Sequence, residues 1–197
     1  MHICDKSFRA MTDHVPFTTT PLPVKLRVED FFRLDEAGAF DDYGKTELIR
    51  GEVFYMNAQH RPHARMKGRL FSALEKALAG LDGGLEVVVE ATVSMPPYSA
   101  PEPDLVITSE PDGEGPVPVS SVRLVIEIAD TTLANDLGVK ASVYAENAVP
   151  EYWVVDVKAG RVHQHWAPEA GAYDQVRETP LADLVALTIP GLTLSLP

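Results

Sequence analysis

Leu124-Val125-Ile126-Glu127-Ile128-Ala129 is an apolar run broken by a single acid. Aliphatic residues without polar alternation are what a strand covered on both faces requires. The run therefore predicts a central sheet strand over Val122 to Ala129. A carboxylate buried in such a strand is costly unless something offsets its desolvation. A second apolar run, Asp104-Leu105-Val106-Ile107, opens on an acid directly after Pro103. Acids on neighbouring strands repel unless a cation sits between them. Lys140 follows Glu127 by thirteen residues, within a helical pattern. The simplest reading is a divalent-metal site with a lysine beside it, which is apparatus for hydrolysing a phosphodiester.

Working outward, the flanking segments predict a sheet with helices packed on its faces. Met66, Leu70, Phe71, Leu74, Leu78 and Leu81 recur at helical steps. They predict a helix over about 61–80, with Pro62 in its first turn and Gly80 at its end. Val28 to Ala37 has a shorter helical pattern. Thr46 to Met56 reads as two strands folded at Arg50-Gly51. Leu85 to Met95 reads as one strand, ended by Pro96-Pro97. Asn135 to Asn147 reads as a helix. Glu151 to Val157 and Arg161 to Ala167 read as a hairpin turning at Lys158-Ala159-Gly160. Beyond it the signal weakens to Asp183–Ile189 and Leu192–Leu194. The core order is helix, strand, strand, strand, helix, strand. This is an α/β (α+β) fold with a mixed central sheet, an N-terminal hairpin and C-terminal β additions.

Composition bounds the partners. The chain has 197 residues, 45% hydrophobic and 23% charged, enough for one domain with a sizeable core. Residues 1–23 are expected to form a flexible arm, and 24–197 a single domain. The net charge of −12 argues against indiscriminate coating of nucleic acid, which needs a basic surface. One cysteine, Cys4, rules out a disulfide within the chain and fits a reducing cytoplasm. The N-terminal residues do not read as a signal peptide, and no segment reads as a membrane span. A nucleic-acid face must then be a local patch. Arg61, Arg65, Lys67 and Arg69 supply one at the start of the long helix, unless they are simply a solvated face.

Oxygen donors suit a hard cation such as Mg²⁺. Asp104 at a strand start and Glu127 near a strand end share a cleft if their strands are neighbours, with the Ile128 carbonyl as a third oxygen. Lys140 could orient or deprotonate a water, or stabilise developing charge. Taken singly, Asp104 reads as a turn cap, Glu127 as an arginine partner and Lys140 as a solvated helix residue. Taken together, the site is the better reading. His163 and His165 alternate on one strand face and read as surface residues, while Trp153 and Trp166 read as packing for the hairpin.

These residues also carry a resemblance. The chain resembles the Uma-type endonuclease family, within the PD-(D/E)XK restriction-endonuclease-like superfamily. The matching pieces are Glu47-Leu48-Ile49-Arg50-Gly51-Glu52-Val53, His63 at the long helix, Glu102-Pro103-Asp104-Leu105, Val125-Ile126-Glu127-Ile128-Ala129-Asp130, Asp136 with Lys140, and Val149-Pro150-Glu151-Tyr152-Trp153-Val154-Val155-Asp156. The resemblance implies a restriction-endonuclease-like core. It makes Asp104 and Glu127 metal ligands and Lys140 a lysine displaced from the strand to the next helix. The position two after Glu127 is Ala129, where the superfamily pattern has lysine. Glu47 matches a further active-site acid, with a surface strand acid as the other reading. His63 matches a histidine that could touch a phosphate or a metal-bound water, or make a helix-start hydrogen bond. Asp136 reads as a cap or partner near Lys140.

The leading expectation is thus a Mg²⁺-dependent (or Mn²⁺-dependent) endonuclease acting on DNA, working as a homodimer. A catalytically inactive binding or assembly module with the same fold is the alternative. A hydrolase of small phosphoesters is a third.

Overall fold

The computed structural model of the chain describes residues 20–56 and 59–196. The arm expected at 1–23 falls, through residue 19, outside the described residues, as does Cys4. Helix α1 (Val28–Glu36) precedes a hairpin of β1 (Thr46–Ile49) and β2 (Glu52–Tyr55). The two-residue turn Arg50-Gly51 has φ of +52° and +85°, the pairing that suits the twist of a tight hairpin. Glycine is required at 51, since a Cβ there would come within 2.6 Å of the Lys25 side chain. The long helix follows as α2 (Arg61–Leu78).

The stretch read as one strand over 85–95 is two, β3 (Glu86–Val89) and β4 (Val93–Ser94). Glu90 interrupts it with φ +52°, a conformation that ends ladder pairing. Next come β5 (Leu105–Thr108), β6 (Val117–Pro118) and β7 (Val122–Ala129). The following helix begins as α3 (Leu133–Asn135), widens into a π-helical turn at Asp136–Lys140, and continues as α4 (Ala141–Glu146). Then come β8 (Glu151–Asp156), β9 (Arg161–Glu169), β10 (Ala172–Pro180), β11 (Asp183–Val185) and β12 (Thr193–Ser195). The sequence reading missed β10, whose side chains are mostly exposed and polar.

Six strands form one mixed sheet in the order β10-β9-β8-β7-β5-β3. Only β7 and β8 run parallel, joined by the α3–α4 crossover, as a parallel connection demands. Strand β7 lies between two cores. Leu124, Ile126 and Ile128 pack with Met66, Leu70 and Leu74 of α2 and with Leu184 and Leu194 of the β11–β12 hairpin. Val125 and Ala129 pack with Val143 and Tyr144 of α4. The fold is the expected mixed α/β sheet flanked by helices. No described helix is long and apolar enough to cross a membrane.

Candidate active site

The register of β5 and β7 places the two acids. Leu105 pairs with Ile126, so Asp104, one residue ahead, stands opposite Glu127. The main chain fastens this arrangement, since Ile128 N–H donates to Asp104 Oδ2 at 2.8 Å. The Ala129 carbonyl accepts from Val157 N–H on the β8 side. Main-chain groups alternate along a strand, so the Ile128 carbonyl faces the β5 side. Its counterpart in register there is Pro103, which has no N–H to give. The proline of the Pro-Asp pair thus leaves that carbonyl oxygen for another partner.

Helix α2 supplies the next layer. His63 Nε2 lies 2.9 Å from Asp104 Oδ2. Lys67 Nζ lies 2.8 Å from Asp104 Oδ1, and also 2.6 Å from Glu90 Oε1. Gln59 Nε2 donates to Asp104 Oδ1 at 3.2 Å, and its own Oε1 accepts from Lys67 at 2.7 Å. Burial pushes the Asp104 carboxyl up, but the His63 and Lys67 bonds outweigh it and hold it at about 2. Asp104 is therefore an acceptor, and His63 donates to it through Nε2. The other ring nitrogen of His63, Nδ1, is buried without a partner among the described residues.

The π-helical turn supplies Lys140. Its Nζ donates to Glu127 Oε1 at 2.9 Å and lies 3.1 Å from Glu47 Oε2. Tyr144, one turn on, donates its hydroxyl to the same Glu127 oxygen at 2.8 Å. The turn is pinned from below, where the Tyr152 hydroxyl donates to the Asp136 carbonyl at 3.0 Å. The Asp136 side chain accepts from the Thr132 hydroxyl. Burial pushes Glu127 up to about 8. Lys140 opposes that shift, while Asp104, Asp136 and Glu47 add to it. Burial works against the charge on Lys140, but Glu127 and Glu47 prevail and raise its pKa, so it stays an ammonium.

Asp104, Glu127, Lys140, Glu47 and His63 are thus all buried and drawn together at one end of β5 and β7. Glu47 is not a surface acid. Lys67, read earlier within a basic patch for nucleic acid or else a solvated face, is buried and bonded to Asp104. Its signal was spacing, since four residues after His63 puts it on the same helix face. One further reading changes away from the site. His165 is buried against Tyr152 and Tyr173 rather than on the surface. Glu151 is a structural anchor, accepting from Trp153 Nε1, from the Leu187 and Thr188 main-chain N–H groups, and from the Thr188 hydroxyl.

The donor set suits a hard divalent cation. The available ligands are oxygens from Asp104, Glu127 and the Ile128 main chain. Among the described residues, no three His, Cys, Asp or Glu side chains are gathered as a metal-holding group. The carboxylates are also in excess. Glu47, Glu90, Glu102, Asp104, Glu127 and Asp136 gather around Lys45, Lys67 and Lys140. The upward shift of Glu127 comes first from its burial and then from the surrounding acids.

Comparison with known proteins gives the context. A family model described as "Uma2: Putative restriction endonuclease" matches residues 28–197. A crystal structure from Anabaena variabilis ATCC 29413, of "a putative nuclease belonging to DUF820", superposes with a TM-score of 0.61 over 86% of this chain and 92% of that one, at 14% identity. At that identity the likeness is one of fold. No curated protein matches the chain.

Proposed function

The chain belongs to the Uma2 family, and from that premise we propose that it is a Mg²⁺-dependent endonuclease hydrolysing phosphodiester bonds of DNA. The observation that carries this reading is Asp104 opposite Glu127, with Lys140 bridging Glu127 to Glu47. Asp104, Glu127 and the Ile128 carbonyl would hold the cation. When bound, it would polarise the phosphate and acidify a water. Mn²⁺ would serve the same donors.

The protein groups divide the remaining work. Lys140 fixes the orientation of Glu127 and presents an ammonium where phosphoryl charge develops. Glu47 holds Lys140 from the far side and keeps it in the cleft. His63 fixes Asp104 through Nε2, leaving Nδ1 as an acceptor for a water. Two copies related by a two-fold axis would let both strands of a duplex be cut.

The test is cleavage of a mixed panel of DNA substrates, with Mg²⁺ titration calorimetry on wild type, Asp104→Ala and Glu127→Ala. Loss of cleavage and metal binding in folded variants supports the reading, and undiminished cleavage in either variant defeats it. One observation favours the catalytically inactive alternative. Both acids already have internal lysine partners, Lys67 on Asp104 and Lys140 on Glu127. Absence of Mg²⁺ binding and of cleavage by wild type would decide for that alternative.

A further inference from the structure

Helix α2 carries a second surface, outside the site just described. Its inner face holds Met66, Leu70, Leu74 and Leu78. On its outer face Arg61, Arg65 and Arg69 follow at four-residue steps, which stacks them in a line about 6 Å apart along the axis. All three are exposed, and none has an ion-pair or hydrogen-bond partner among the described residues. The other described arginines are all engaged. Arg27, Arg33, Arg50, Arg123, Arg161 and Arg177 each meet an oxygen of the protein. In a chain of net charge −12, the unmatched guanidinium groups among the described residues are thus collected on one line.

That line borders a groove. An open cleft of about 310 Å³ runs between α2 and β3, walled by Ala64, Gly68, Phe71 and Val89. Arg65 and Arg69 follow Ala64 and Gly68 by one residue, about 100° further round the helix, so the arginine line runs beside the cleft on the solvent side of α2 rather than lining it. Gly68 faces open space, since a Cβ there would meet nothing within 4 Å. The cleft also reaches Lys67 and Gln59, both of which bond to Asp104, and Glu90, whose carboxylate is matched by Lys67 and Lys45. An apolar wall beside a row of unmatched cations complements a polymer of flat apolar rings on an anionic backbone.

We propose that this face grips one strand of the nucleic-acid substrate. The backbone phosphates lie along Arg61, Arg65 and Arg69, and an unstacked base enters the cleft over Gly68 against Phe71. The proposal rests on the nuclease reading for its substrate class. It adds that the strand is held unpaired beside the site. A single line of cations tracks one backbone, and a base reaches the cleft only when it leaves its stack.

Fluorescence anisotropy of labelled DNA with the full chain in EDTA tests this, across a KCl series. Single-stranded oligonucleotide is expected to bind at least about tenfold more tightly than its perfect duplex. Arg65→Gln and Arg69→Gln should each weaken binding and lower the slope of log K against log salt by about 0.7. Arg161→Gln, the same charge change at the far hairpin, should leave the slope unchanged. Gly68→Leu puts a better helix former into the cleft, so the helix should survive. It should weaken binding while keeping the wild-type slope. Wild-type slopes in both arginine variants, or equal affinity for duplex, would overturn the proposal. Because the readout is binding without metal, loss of the cleavage reading would appear separately, as strand binding with no cutting.

Discussion

Asp104 and Glu127 face each other one residue beyond the Leu105–Ile126 pair, yet their carboxyls are driven in opposite directions. Asp104 has four donors around it and is held low, at about 2. Glu127 is buried among other acids and is pushed up to about 8. A cation bound by Glu127 would have to displace its proton, so binding there would release protons and tighten as pH rises.

The first prediction concerns pH. Glu127 rises from its ordinary 4.5 to about 8 in the folded chain. Its contribution is fully present below 4.5 and is lost as pH rises toward 8, because the unfolded chain releases that proton earlier. Urea unfolding of the metal-free protein should show stability falling across this window. Glu127→Gln should flatten the slope, and an unchanged slope in that variant would count against the assignment.

Removing Lys140 strands two buried acids. Above pH 8, where Glu127 is ionised, Lys140→Ala should cost about 3–5 kcal/mol of unfolding free energy in the absence of metal, the usual penalty for breaking a buried pair. Saturating Mg²⁺ should recover part of it. Denaturant titration with and without the ion reads both effects.

Lys67 occupies one oxygen of Asp104 and has Glu90 as a second partner. Lys67→Met removes a positive charge beside the proposed ion while keeping the length of the side chain. Mg²⁺ affinity should tighten on the order of tenfold, measured by titration calorimetry. Weaker binding would instead make the lysine a support for the ligand geometry.

Glu151 separates architecture from chemistry. It is fully buried and accepts four hydrogen bonds, two of them from main-chain N–H groups near the C-terminus. Glu151→Ala should lower stability by at least about 2 kcal/mol, since buried donors lose a charged acceptor. Metal affinity at temperatures well below unfolding should not change. Thermal melts and calorimetry on one preparation decide this.

Part of this was legible in the chain. Glu127 announced itself because five aliphatic neighbours leave an acid nowhere polar to go, and Asp104 because proline and an apolar run bracket it. Lys140 was legible as a distance along a helix. Strand β10 was not, since Asp174, Gln175, Arg177 and Glu178 look like loop residues and form a strand only because β9 offers a ladder. The break at Glu90 was hidden too, because a positive φ at a glutamate leaves no mark in composition. Lys67 was obscured by Arg61, Arg65 and Arg69 around it. Helical phase, rather than charge, separates the buried cation from the three exposed ones.

The π-helical turn at Asp136–Lys140 gives the site an address that depends on counting. Such a turn holds one residue more than an α-helical turn spans, and each helical residue advances the side chain by about 100°. Excising a single residue ahead of Lys140 there would restore regular winding and swing Lys140 and Tyr144 together off Glu127, with both side chains still encoded. The cleft is thus written partly in the length of the chain, where substitutions leave it readable and a one-codon deletion erases it.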